Sequence, residues 1–220
     1  IFVESELWPQ MLRRTRATGA HMALVNARLS ERSVKSWQKR PKLAAYVLDV
    51  FDLILTQNDA MAEAMVRMHA PAPRVARGQN LKSLSGPLPQ DEDTIFNART
   101  ALGRRPVWIA ASTHAGEEQI VLEAHQILRK SHPDLHLILV PRHPERGSDV
   151  AQLIADSGMD YARRSAGETP AEAVYLADTL GELGSWYALS NIVFLGGSLL
   201  PIGGHNPFEV AQSGGTVLSG

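Results

Sequence analysis

Residues 192–213 read IVFLGGSLLPIGGHNPFEVAQS. Ile192, Val193, Phe194 and Leu195 form an apolar run of strand length, closed by Gly196 and Gly197. A second glycine pair, Gly203 and Gly204, stands just ahead of Asn206 and Pro207. Asn favours the N-cap and Pro the first helical position, so a helix is expected to begin here with Glu209 in its first turn. Strand, glycine loop and helix N-terminus in succession leave backbone N–H groups and the positive end of a helix dipole at one spot, which suits a phosphate. The same pattern serves an ordinary turn, and a glycine-rich loop alone does not choose between the two.

Outward from this stretch the alternation recurs. Strands are expected at 106–111, 135–140, 174–176 and 216–218, with helices at 116–130, 149–156 and from 178 to 189. Earlier come a strand at 1–3, a helix from Pro9 to Gly19 and a strand at 22–25. A basic helix capped by Ser30, a helix at 42–51, a strand at 53–55 and a helix from Asn58 to Met68 follow. Strands separated by helices imply parallel, Rossmann-like sheets. Between the two series, Pro71, Pro73, Gly78, Ser83, Ser85, Gly86, Pro87 and Pro89 mark a connection. Asp91, Glu92 and Asp93 beyond it read as an acidic helix start rather than a metal motif.

A chain of 220 residues that is 44% hydrophobic can bury a real core in one large or two small domains. With no Cys there is no disulfide framework, thiolate metal site or Cys nucleophile. No apolar run approaches the ~20 residues needed to span a bilayer. The chain starts at Ile1 without Met and ends within a strand-like run, and so reads as a segment truncated at both ends. From Arg13 to Lys42 the cations are Arg13, Arg14, Arg16, Arg28, Arg32, Lys35, Lys39, Arg40 and Lys42, against the single acid Glu31. Such a run is a solvated helix face or a surface for anionic lipid or a phosphorylated substrate. Near-neutral net charge and sparse aromatics argue against nucleic acid.

In an open parallel sheet, ligands bind beyond the carboxyl ends of the strands. Four loops of the second half leave strands there: 112–117 with Ser112 and His114, 141–146 with Arg142, His143 and Arg146, 178–183 with Asp178 and Glu182, and the opening loop. Their hydroxyls, arginines, acids and helix N-termini suit a nucleotide. There is no GxGxxG after the first strand, no P-loop and no HExxH, so dinucleotide, P-loop and zinc readings are weak.

Taken in order, ESELWP at 4–9, NARLS at 26–30, NLK at 80–82, STHAGEE at 112–118, PRHPER at 141–146, DTLGEL at 178–183 and GGS through GGHNPFE at 196–209 resemble the bacterial 3-deoxy-D-manno-octulosonic acid (Kdo) transferases of lipopolysaccharide synthesis. The resemblance covers nearly the whole chain. It implies an α/β fold of GT-B type with two Rossmann-like domains. Residues 1–81 would belong to the N-terminal acceptor domain and 82–220 to the C-terminal CMP-Kdo donor domain. It further implies inverting, metal-independent transfer of Kdo from CMP-Kdo to a lipid A precursor, without a cofactor, on the cytoplasmic face of the inner membrane. By the same resemblance, Pro141, Arg142, Gly181, Glu182, Leu183, Asn206, Pro207, Phe208 and Glu209 bind CMP. Glu6 and Lys82 support the transition state, and the family's general base has no counterpart in the chain. A nucleotide-binding module without catalysis and a GT-B-type sugar-nucleotide epimerase are the competing readings.

Overall fold

A computed structural model of the chain describes residues 1–5, 7–81 and 86–220. It divides into two compact units, Ile1–Ser85 and Gly86–Gly220, each with its own parallel sheet.

In the first unit the strands β1 (Phe2–Val3), β2 (Ala23–Ala27), β3 (Leu53–Thr56) and β4 (Val75–Arg77) lie side by side in chain order. Helices α1 (Pro9–Ala17), α2 (Glu31–Gln38), α3 (Pro41–Leu48) and α4 (Asp59–Arg67) connect the first three strands and precede the fourth. Pro9 and Pro41 open their helices where a missing N–H costs nothing. Ser30 Oγ accepts from the Ser33 amide at 3.2 Å and Asn58 Oδ1 from the Met61 amide at 2.9 Å, so both expected caps form. Leu12, Leu24, Ala44, Val47, Leu48, Ile54 and Met65 meet in one core between sheet and helices. The short strand β4 lies inside the stretch expected to be only a connection. Three residues carry no readable period; pairing with β3 creates the strand.

The second unit contains β5 (Val107–Thr113), β6 (His136–Pro141), β7 (Tyr161–Arg163), β8 (Val174–Leu176), β9 (Ile192–Leu195) and β10 (Thr216–Leu218), ordered β10-β9-β5-β6-β8-β7 and all parallel. Its helices are α5 (Glu92–Leu102), α6 (Glu117–Ser131), α7 (Gly147–Asp156), α8 (Leu183–Tyr187) and α9 (Phe208–Gln212). Successive strand residues point to opposite faces, and here both faces are covered. Ile109, Ala111, Ile138, Val140, Tyr175, Val193 and Leu195 join Ala98, Trp186, Tyr187 and Val210 in one core. Trp108, Ala110, Leu137, Leu139, Val174, Leu176 and Phe194 join Val121, Leu122, Val150 and Ile154 in the other. This two-sided burial explains why the strands read as unbroken apolar runs. The observed fold class is α/β, in two Rossmann-like units each built on a parallel sheet.

Two differences from the expected elements bear on the site. Strand β7 is absent from the sequence reading, being three residues with a single buried side chain, Ala162. The helix expected from Asn206 begins at Phe208, and Pro207, at φ −78° and ψ −12°, occupies the cap. Asn206 still closes the entry, its Oδ1 accepting from the Phe208 amide at 3.2 Å.

Candidate functional site

From β5 the chain passes to β6, β7 and β8 on one flank of the second sheet, and β9 and β10 lie on the other. The strand order therefore reverses between β5 and β9. In parallel α/β sheets the crevice beyond the carboxyl ends at such a switch point is where ligands sit.

The backbone at this point is unusual. The β5–β6 register shifts between Ala111 and Thr113, and Ser112 between them takes φ +56°, a left-handed conformation that a serine rarely adopts. Opposite it, the Gly196 amide donates to Ala111 O at 2.8 Å. A Cβ on Gly196 would lie 2.4 Å from Ser112 O and 2.7 Å from Thr113 Cα, so only glycine allows the two loops to approach.

Glu117, at the start of α6, ties these loops together. Its side chain is fully buried and accepts from four amides: Gly197 at 2.8 Å, Ser198 at 3.0 Å, Leu199 at 3.1 Å and His114 at 3.0 Å. Burial pushes this carboxyl up, but the four N–H donors outweigh it and hold the group below its ordinary value. Glu117 is thus a structural anchor of the glycine loop. Its signal in the sequence was the acid next to Gly116, whose φ of +92° turns the chain into α6.

Charge is distributed unevenly along the edge. Arg146 Nη1 reaches buried Glu118 at 2.7 Å and Arg163 Nε reaches buried Asp178 at 2.6 Å. Arg164 Nε donates to both Glu182 oxygens at 3.1 Å, and Glu182 also accepts from Thr179 Oγ1. Arg164 chiefly, with Thr179, holds the Glu182 carboxyl below its ordinary value against burial. Arg142 differs from these arginines. Its amide donates to Thr113 O at 2.9 Å, and its exposed guanidinium has no carboxylate partner among the described residues. Among the described residues it is a cation at this edge free to meet an anion.

Three histidines lie at the same edge. His114 Nε2 and His205 Nε2 are 2.8 Å apart, and the His143 ring stands edge-on to His114 with centroids 5.7 Å apart. Burial, then the nearby His114 and Arg142, push the His205 imidazole below its ordinary value.

Of the residues singled out in the sequence, Pro141 is buried at the end of β6, Arg142 follows it, and Asn206, Pro207, Phe208 and Glu209 begin the last crossover after β9. Gly181, at φ +83°, Glu182 and Leu183 lead into α8 from β8. Their parent strands β9, β5, β6 and β8 are consecutive in the sheet, so all these loops share its carboxyl edge. Arg163, which ends a strand too short to read, and Arg164, which opens the turn after it, carry no signal in the sequence. Glu6 and Lys82 lie outside the described residues. Near them in sequence, Glu4 and buried Asn26 approach each other at the carboxyl edge of the first sheet. Asn26 Nδ2 donates to Glu4 Oε1 at 3.4 Å, and Asn26 Oδ1 accepts from the Leu81 amide at 3.2 Å.

Residues 1–84 match the family model described as 3-Deoxy-D-manno-octulosonic-acid transferase (kdotransferase). The 3-deoxy-D-manno-octulosonic acid transferase of Haemophilus influenzae is 36% identical over 223 residues, which takes in 100% of this chain and 52% of that protein. A probable mitochondrial 3-deoxy-D-manno-octulosonic acid transferase of Arabidopsis thaliana is 34% identical over 229 residues, 100% of this chain and 51% of that one. Among solved structures, the C-terminal CMP-Kdo binding domain of WaaA from Acinetobacter baumannii is 41% identical, covering 58% of this chain and 70% of that domain with a TM-score of 0.52. The chain belongs to the Kdo transferase family. It spans about half the length of the curated relatives it matches.

Proposed function

We propose that this chain supplies the donor-binding machinery, and part of the acceptor domain, of a glycosyltransferase that moves Kdo from CMP-Kdo to a lipid A precursor with inversion and without a metal. The observation that carries the reading is the carboxyl edge of the second sheet, where Arg142 lacks a carboxylate partner among the described residues, beside a glycine loop held by Glu117. The 41% identity with a domain that binds CMP-Kdo supports the same assignment. On this reading residues 82–220 form the donor domain and 1–81 belong to the acceptor domain. Pro141, Arg142, Gly181, Glu182, Leu183, Asn206, Pro207, Phe208 and Glu209 bind CMP, with Arg142 on the phosphate and Asn206 and Glu209 toward the ribose. Glu182 takes part through the loop it braces, because its carboxylate is engaged by Arg164.

When CMP departs, positive character grows on the sugar ring and negative charge on the phosphate. Arg142 and Lys82 stabilise the phosphate, Glu6 supports the ring, and a base outside this chain takes the acceptor hydroxyl's proton. No helix among the described residues is long and apolar enough to cross a membrane. Contact with the inner membrane's cytoplasmic face is assigned to the basic helices of the first unit. Part of that charge is already engaged: Arg16 pairs with Asp52 at 2.8 Å, and the Arg13 guanidinium lies 3.5 Å from the Tyr46 ring centroid. Lys35 lies 3.9 Å from Glu31. Among the described residues, exposed Arg14, Arg28, Arg32, Lys39, Arg40 and Lys42 are then left for anionic lipid, together with exposed Trp8, Met11, Leu43 and Tyr46.

Calorimetry with CMP and UDP on the full-length protein tests the donor assignment. CMP should bind and UDP should not; preference for UDP would favour the epimerase reading and overturn this one. CMP binding without any transfer to lipid A precursor would favour the non-catalytic module.

A further inference from the structure

His114 follows β5 and His205 lies in the glycine loop after β9, on opposite sides of the switch point. Their planes differ by 6° and their centroids are 5.1 Å apart. That separation accommodates the 2.8 Å Nε2–Nε2 contact plus one ring radius at each end, so the rings meet head-on through nitrogen. Two imidazole nitrogens at this distance hold one proton between them, since two N–H groups would collide and two lone pairs would repel. Such a pair exists as a neutral dimer or a singly charged one, and a second added proton breaks it. Each Nδ1 has no hydrogen-bond partner among the described residues.

The pair is not needed to hold the loop. Glu117 already binds three of its amides, and the Gly204 amide donates to Gly197 O at 2.7 Å. Gly197 makes room for His205: a Cβ there would lie 3.0 Å from His205 Cδ2, and its φ is +72°. The charged and titratable groups around the pair are Arg142, His143 with Glu145 3.4 Å from it, and Glu117. Glu117 is saturated by amides, and Arg142 has no carboxylate partner among the described residues. Burial, then the neighbouring His114 and Arg142, disfavour a charge on His205, and an anion bound beside Arg142 would offset this.

We propose that His114 and His205 act as one proton-sharing unit that seats the phosphate of the bound nucleotide sugar and protonates it as it leaves. The proposal rests on the nucleotide-sugar reading above. Phosphate binding beside Arg142 draws one additional proton onto the pair. The bond between the anomeric carbon and the phosphate oxygen then breaks, its electron pair stays on that oxygen, and the imidazolium proton passes to it. The pair returns to neutral and is recharged from solvent.

The test uses the full-length protein with His114→Gln, His205→Gln and the double variant, measuring cytidine and CMP binding and the pH dependence of kcat. Cytidine lacks the phosphate, so its affinity should stay within about twofold, whereas CMP affinity should fall about tenfold. Because the two act as a unit, the double variant should be no worse than either single one. Wild-type kcat should fall as rising pH strips the extra proton, and the variants should lose that limb. In the wild type, the imidazole nitrogen resonances of both histidines should move on adding CMP and stay fixed with cytidine, a readout independent of the variants' folding. Unchanged CMP binding and an unchanged pH limb in the variants, or resonances indifferent to CMP, would overturn the proposal while leaving the donor assignment intact. Wild-type protein that binds cytidine and CMP equally would overturn the phosphate seat, and failure to bind either would overturn the donor assignment with it.

Discussion

Strand β2 of the first unit ends in a register shift at Asn26, φ +58°, and strand β5 of the second ends in one at Ser112, φ +56°. The two sheets use the same device at their carboxyl edges but support it differently. Asn tolerates the left-handed region, and Asn26 is buried with both ends of its amide engaged, by Glu4 and by the Leu81 amide. Ser112 has neither advantage: its hydroxyl has no hydrogen-bond partner among the described residues. At Asn26 the strain is held by the residue's own bonds, whereas at Ser112 it is held by its surroundings, in the crevice where we propose that the nucleotide binds. In the second unit the surrounding structure compensates, above all through Glu117.

The first way to break this comparison is to remove the anchor. Glu117→Ala strips four amides of a charged acceptor in a buried setting, and the loss should be on the order of 5 kcal/mol, well beyond an ordinary substitution. Denaturant unfolding followed by hydrogen exchange at residues 197–199 would show it, with the first unit's amides unchanged. Normal protection at those amides would mean that the loop is held by something else.

Gly196→Ala comes next. Its added Cβ meets backbone atoms on Ser112 and Thr113, which cannot rotate away, and about 4 kcal/mol of destabilisation is expected. The counterpart in the first unit is Gly78, where a Cβ would lie 3.2 Å from Leu55 Cβ and 3.3 Å from Thr56 O. Those contacts need only a small shift, so Gly78→Ala should cost about 1 kcal/mol. Equal melting temperatures for the two variants would remove the claim that the second edge is the tighter one.

The units should also part company in acid. Buried His125 and His136 are pushed down to about 4, chiefly by burial, and the unfolded chain binds those protons near the ordinary 6.5. Stability of the second unit is therefore lost as pH falls from about 6.5 to 4, by at most on the order of 3 kcal/mol for each histidine. His125 accepts from Trp108 Nε1 at 3.1 Å, whereas the His136 ring has at most a poorly aligned contact with the Glu172 backbone among the described residues. His136→Leu should accordingly flatten part of the acid slope without orphaning a donor. In the first unit, the Met22 amide and Arg16 hold Asp52 at about 2, so its contribution persists above the ordinary 3.8 and fades only between about 4 and 2. Hydrogen exchange near pH 4.5 should find the second unit opening first.

Sequence carried the alternation of strands and helices, the Ser30 and Asn58 caps and the four loops at one edge, because each rests on local pattern. The motif order also carried the family. What it did not carry depends on tertiary pairing. Strands β4 and β7 exist only because a neighbour completes them, and with β7 went Arg163 and Arg164. That Glu182 is bound by Arg164 while Arg142 is left over follows from distances between loops, which no spacing along the chain reports. Nor does the motif around His114 reveal that its imidazole ends against His205, ninety-one residues away.

The smallest effect is the most discriminating for the two bulges. A left-handed non-glycine residue costs roughly 1–2 kcal/mol, which glycine does not incur. Ser112→Gly should thus stabilise the second unit by about 1 kcal/mol, since no bond is lost with the hydroxyl. Asn26→Gly relieves less strain and deletes both amide bonds, so it should destabilise the first unit by about 1 kcal/mol. Opposite signs in paired denaturation curves are the expected result, and matching signs would mean that the two bulges are held alike. If Ser112 is strained for the sake of a ligand, the stabilised Ser112→Gly protein should also bind CMP more weakly, so that stability and affinity move in opposite directions.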